Sequence, residues 1–139
     1  MSTKISTITY VKSPEEINGI KVVNSAPDAF EALMNGEEVM RYERGTSMEP
    51  ILKDGEYAHL KPINSLDEVN IGDAVFCKVH GYLMTHMVLM KSSTGADHPY
   101  FLIGSSRYEF YGWTDQIYAI AYGTDVCEED ENVEFANIV

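Results

Sequence analysis

A chain of 139 residues, 45% hydrophobic and 23% charged, is long enough to bury a core and too apolar to stay unfolded, so one globular domain is expected. Its formal charge of −12 leaves ten Lys and Arg, nowhere clustered, to meet phosphate, which argues against direct nucleic-acid binding. No apolar run approaches the roughly 18 residues of a membrane span, and the N-terminus lacks a basic-then-apolar leader, so a cytoplasmic location without a membrane span is expected.

Along the chain, residues 5–11 are β-branched and aromatic with partial alternation, which predicts a short strand broken by Pro14 and Asn18-Gly19. A second strand is expected over 20–23. Residues 26–36 read as a short helix: Pro27 sits in the first turn, Phe30, Leu33 and Met34 share a face, and Asn35-Gly36 supplies the stop. Alternation returns over 39–44 and 57–60, on either side of the turn signal Lys53-Asp54-Gly55-Glu56.

Residues 64–73 form a polar connection ending in Gly72-Asp73, and 74–79 run as a strand into a His80-Gly81 hairpin turn. On the return strand, 82–91, the alternation puts Leu83, Thr85, Met87 and Leu89 on one face and Met84, His86, Val88 and Met90 on the other. A loop over 92–99, a strand over 100–103 and a last core strand over 117–123 complete the pattern, with Trp113 as a core plug. Residues 125–134 carry six acids and no base, a solvated tail or, more sharply, an acidic docking tail. The expected fold is mostly β: N-terminal strands and one short helix in 1–38, a β-domain over 39–124, and an acidic tail over 125–139.

Four stretches carry residues that chemistry could use: Gly45-Thr46-Ser47-Met48-Glu49-Pro50, Ile71-Gly72-Asp73-Ala74-Val75-Phe76, Met84-Thr85-His86-Met87-Val88, and Ile103-Gly104-Ser105-Ser106-Arg107 with Tyr111-Gly112-Trp113-Thr114-Asp115 behind it. A serine is inert at neutral pH without a base in hydrogen-bond reach, and an imidazole with an ordinary pKa of about 6.5 is a suitable one. Plainer roles compete. Ser47 before Met-Glu-Pro suits a helix N-cap, His86 on an alternating strand suits a core position, and Asp73 suits the fixing of its own turn. Cys77, His80 and His86 lack a fourth ligand at helpful spacing, so no metal is expected, and Cys77 and Cys127 read as free thiols of a reducing compartment.

In this order and over roughly residues 40–123, the four stretches resemble the boxes of the serine-peptidase fold shared by LexA-type repressors and type I signal peptidases. Ser-Met-Glu-Pro and Thr-His-Met-Val look most like the signal peptidases of the endoplasmic-reticulum kind, in which histidine replaces lysine. The resemblance implies a coiled β-domain in which Ser47 is the nucleophile and His86 the general base, with Met48, Asp73 and Ser105 in supporting positions. It implies hydrolysis of peptide bonds without a cofactor, on a peptide that adds as a strand along the cleft.

Some residues depart from the pattern. Ser105 stands where an orienting aspartate is expected, leaving Glu109 and Asp115 as the nearest acids, Met87 replaces a basic residue, Glu56 replaces an aspartate, and Gly45 offers no hydroxyl for an oxyanion hole. With neither a helix-turn-helix segment nor a membrane anchor, repressor self-cleavage and signal-peptide removal are not expected. The alternative is an inactive member of the same fold, a binding or structural module in a phage or mobile-element assembly. Protein or peptide is the expected partner either way, and free strand edges leave a homodimer open.

Overall fold

The computed structural model of the protein describes residues 14–44, 49, 52, 54–93 and 97–127. The strand expected over 5–11 and the acidic stretch from 128 lie outside the described residues. β1 (Glu16–Ile17) and β2 (Ile20–Lys21) form a small hairpin whose turn residues, Asn18 and Gly19, both take positive φ. The following residues continue along the sheet edge, where Val23 donates to the Met40 carbonyl at 2.9 Å.

Helix α1 (Ala26–Met34) begins where expected, because the Ser25 hydroxyl accepts the Asp28 N–H and proline sits in the first turn. It ends at Asn35, and Gly36 takes the left-handed φ of +83° that closes the last turn. The buried face consists of Ala29, Ala32 and Leu33 with Phe30 beside them, whereas Met34 is 61% exposed. Met34 follows Leu33 by a single position, about 100° around the helix, and so turns away from the sheet.

The main sheet is antiparallel and seven-stranded, in the order β3 (Val39–Glu43), β4 (Glu56–Pro62), β9 (Ile117–Cys127), β5 (Ala74–Val79), β6 (Tyr82–Ser92), β7 (Tyr100–Gly104), β8 (Phe110–Thr114). A 3₁₀ turn over Leu66–Glu68, capped reciprocally by Ser65 and Glu68, lies in the polar connection before β5. One face of the sheet packs on α1 through Val39, Ala58, Leu60, Ala74, Phe76, Ala119 and Ala121, with Leu52 from the β3–β4 connection. The opposite face holds Val75, Cys77, Val79, Val88, Phe101, Ile103 and Ile117.

Four alanines on the helix face leave room for α1 and for the sheet to curl around it. The curl is measurable: β3 and β6 are four strands apart, about 19 Å in a flat sheet at ~4.8 Å per strand, yet Glu43 on β3 hydrogen-bonds Thr85 on β6 at 3.1 Å.

The β5–β6 hairpin follows expectation, with His80 and Gly81 both at positive φ. On β6, Leu83 and Met87 pack on the helix face and Met84 and Val88 on the other, as the alternation predicts. Met90 departs from it. A bulge between Val88 and Met90 makes Met90 pair with Leu102, which carries it to the other face, 52% exposed. β8 was not expected, because Gly112 in its middle reads as a turn, and Trp113 on this edge strand is 46% exposed rather than a core plug. β9 runs to Cys127, past the expected start of the acidic tail at 125.

Candidate functional site around His86

The Gly-Asp turn is locked to the strand that carries His86. Gly72 donates to the Val88 carbonyl at 2.8 Å, and Val88 donates back to the Asp73 carbonyl at 2.9 Å. The Asp73 carboxylate accepts the Asn70 N–H at 2.8 Å, and Asp73 N–H returns a bond to the Asn70 carbonyl at 3.1 Å. Asp73 therefore closes its own turn and ties that turn to β6 two residues beyond His86.

His86 pairs with Val75 across the hairpin and leaves β6 on the face of Met84 and Val88. Its ring lies against Tyr111 of β8, centroids 4.5 Å apart and planes tilted by 38°. Burial pushes the imidazole pKa below its ordinary 6.5, and the negative charge of Glu109 partly opposes this. The ring is thus neutral at pH 7, the form that accepts a proton. Its Nδ1 is buried and has no hydrogen-bond partner among the described residues.

Ser105 is fully buried and organises the β7–β8 turn. Its hydroxyl oxygen accepts the N–H groups of Arg107 and Glu109, both at 3.1 Å, and the hydroxyl donates to Glu109 Oε1 at 3.2 Å. Backbone bonds from Ser105 to the Glu109 carbonyl and from Tyr108 to the Ser105 carbonyl, 2.9 Å each, complete the loop. A side chain at Gly104 would collide with that Glu109 carbonyl. Of the two acids near the expected aspartate position, Glu109 is the one whose charge reaches His86. Asp115 binds His98 at 2.9 Å.

The helix face of β6 holds a second polar cluster that the sequence reading did not single out. Glu43 Oε2 accepts from Thr85 Oγ1 at 3.1 Å and from Arg41 Nη1 at 3.3 Å, and the Arg41 guanidinium lies 5.6 Å from the centre of the Phe76 ring. Both charged side chains are largely buried, 20% and 15% exposed. Burial pushes the Glu43 pKa up, against the pull of Arg41 and the two hydrogen bonds. The available signal was parity: Val39, Arg41 and Glu43 alternate on one strand, so two charged residues share the core face of Val39.

Ser47 and Met48 lie outside the described residues. His86, Asp73 and Ser105 are all described: the Asp73 turn bonds the middle of β6 at Val88, and Ser105 follows Gly104, the β7 partner of Met87. Cys77 is a free, buried thiol whose pKa burial pushes up to about 12, so it is unreactive at neutral pH. Among the described residues no group of three or more His, Cys, Asp or Glu could hold a metal ion, and no helix is long and apolar enough to cross a membrane. The chain matches no protein-family model, no curated protein and no solved structure.

Proposed function

We propose that the chain is a serine endopeptidase in which Ser47 is the nucleophile and His86 the general base. The carrying observation is the His86 imidazole itself: a half-buried, neutral-favouring ring whose buried Nδ1 has no partner among the described residues. Leaving a buried polar atom unmatched costs about 1–3 kcal/mol, and such atoms call for a functional explanation. In the proposed reaction the imidazole takes the Ser47 hydroxyl proton as the oxygen attacks the peptide carbonyl, then returns it to the departing amine. Water, deprotonated by the same ring, releases the acyl group. The charge of Glu109 favours the imidazolium formed midway.

The substrate class is an extended polypeptide and the setting a reducing, cytoplasmic one, in keeping with a free buried Cys77. Fluorescein-labelled casein is the test substrate. Ser47→Ala and His86→Ala are each expected to lower its cleavage by about 10³-fold or more. Equal cleavage by wild type and Ser47→Ala would remove the peptidase assignment.

One observation favours an inactive binding module instead: the Glu109 carboxylate bonds to Ser105, and among the described residues no carboxylate bonds the His86 ring to hold one tautomer. Under that assignment wild-type protein leaves casein intact, and His86→Ala changes nothing but stability.

A further inference from the structure

We infer that the groove between the exposed flank of α1 and the start of β9 is a docking site for a protein partner, which enters it with a cationic amphipathic segment. The groove uses no residue of the His86 site, so its role is separate from peptide cleavage.

The groove measures about 750 Å³. One wall is the α1 flank of Phe30, Leu33 and Met34, and the others are residues 62–66, where β4 passes into the 3₁₀ turn, and residues 115–118, where β9 begins. Its floor is apolar. Leu33 and Ile117 are buried, the Phe30 and Tyr118 rings meet edge to face with centroids 4.7 Å apart, and the Ile63 N–H donates to the Tyr118 carbonyl at 3.4 Å. The wall at 62–66 is held by Glu68, whose carboxylate accepts the N–H groups of Asn64 and Ser65 at 2.7 and 2.8 Å. A surface built in this way exists before a partner arrives, so little ordering entropy is lost on binding.

Shape selects a chain as the occupant. Met34 is 61% exposed on a helix whose other large apolar side chains pack toward the sheet. With Asn64, Ser65 and Gln116 also exposed, the groove is open along its length, whereas a small-molecule site encloses most of its ligand. A flexible thioether at the rim adapts to apolar anchors of differing shape.

Charge selects the chemistry of that chain. Asp115 lines the groove, and Glu31, Glu37 and Asp67 adjoin lining residues in the chain. Glu37 already engages Lys21 and Asp115 engages His98. The cations beside the lining are Lys61 and Lys78, and they lie over the rings of Tyr122 and Phe30, at 5.2 and 5.3 Å. Carboxylates therefore outnumber cations at the rim, on a chain whose formal charge is −12. Such a field draws in a Lys- and Arg-bearing segment and repels a second copy of the same chain.

The test titrates wild type, Met34→Lys and Tyr108→Lys into a fluorescein-labelled peptide of Leu-Lys-Lys-Leu repeats, followed by anisotropy, with a Leu-Glu-Glu-Leu peptide as its acidic counterpart. Tyr108 is 73% exposed and lies beyond the end of β8 opposite to Asp115, so the two variants match in added charge and in the loss of an exposed apolar side chain. Wild type should prefer the cationic peptide by about tenfold or more, and Met34→Lys should weaken that binding about tenfold while Tyr108→Lys changes it by less than about twofold. Equal weakening by both variants would mean that the peptide follows net charge alone, and it overturns the site. Equal affinity for the two peptides, or for neither, does the same. Should Met34→Lys melt below wild type, amide shifts in the unaltered protein decide: those of Leu33, Leu66 and Ile117 must move on titration, and shifts centred on another surface overturn the proposal. A dimer in sedimentation that Met34→Lys dissolves would make a second copy the occupant instead.

Discussion

Thr85 and His86 are neighbours on β6, yet their side chains enter opposite kinds of surroundings. On the helix face Thr85, Glu43 and Arg41 engage one another over Phe76, within a cluster closed by α1 and Leu52. On the other face the His86 ring has an aromatic neighbour and feels the charge of Glu109, but its Nδ1 bonds to nothing among the described residues. One face ties β3 to β6 across the curl, and the other leaves a buried ring nitrogen without a partner among the described residues.

The largest effect should come from breaking the helix face. Phe76 is fully buried, touches Tyr118 and carries the Arg41 guanidinium, so Phe76→Ala should cost about 3–5 kcal/mol in urea unfolding. Truncating Tyr111 on the other face removes a half-buried ring and one tilted aromatic pair, a loss of about 1–2 kcal/mol. If the two changes cost the same, the contrast between the buried Phe76 site and the half-buried Tyr111 site is wrong.

Next in size is Ser105→Ala, which strands two N–H groups and the Glu109 carboxylate in a buried turn. An expected loss of about 1–3 kcal/mol follows, measured by the same denaturation. Ser105 resembles a site residue by position, but every bond it makes lies within its own turn. A Ser105→Ala variant as stable as wild type would show that the turn does not need it.

Much of this architecture could be read from local signals, and the failures share one cause. Ser25, Pro27 and Gly36 bracket α1, and His80-Gly81 sets the β5–β6 hairpin, because caps and turns depend on residues next to each other in the chain. The alternation on β6 held until the bulge after Val88, which no local pattern announces. β8 was hidden by Gly112, whose ideal Cβ would press on the His80 ring, so the glycine marks a close approach rather than a turn. Glu43 and Thr85 meet only because the sheet curls, and curl is a property of the assembled strands. The candidate residues could be read as types in order; which acid's charge reaches His86 could not, since that depends on the turn Ser105 builds.

A smaller, pH-dependent effect separates the two faces on the helix side. The raised Glu43 pKa means that the folded protein binds this proton more tightly than the unfolded chain does. Its protonation therefore stabilises the fold at and below the ordinary value of 4.5, and that gain is lost as pH rises through the folded value. Glu43→Gln, neutral throughout, should show its greatest stability relative to wild type at pH 7, with the difference shrinking toward pH 4.5. A difference that is flat or widens on acidification contradicts a buried, desolvated carboxylate.

The smallest effect is the most diagnostic for the open face. His86 is shifted downward, so the stability its neutral ring supports is present above 6.5 and lost as pH falls through the lower folded value. Nitrogen chemical shifts of its imidazole should titrate with a midpoint below 6.5. Glu109→Gln removes the one opposing influence and should lower that midpoint further, while leaving an uncharged partner for the Ser105 hydroxyl. Asp115→Asn should not move it, because that carboxylate bonds His98 and is not among the charges acting on His86. If instead Asp115 controls the titration and Glu109 does not, the acid whose charge reaches His86 has been misassigned.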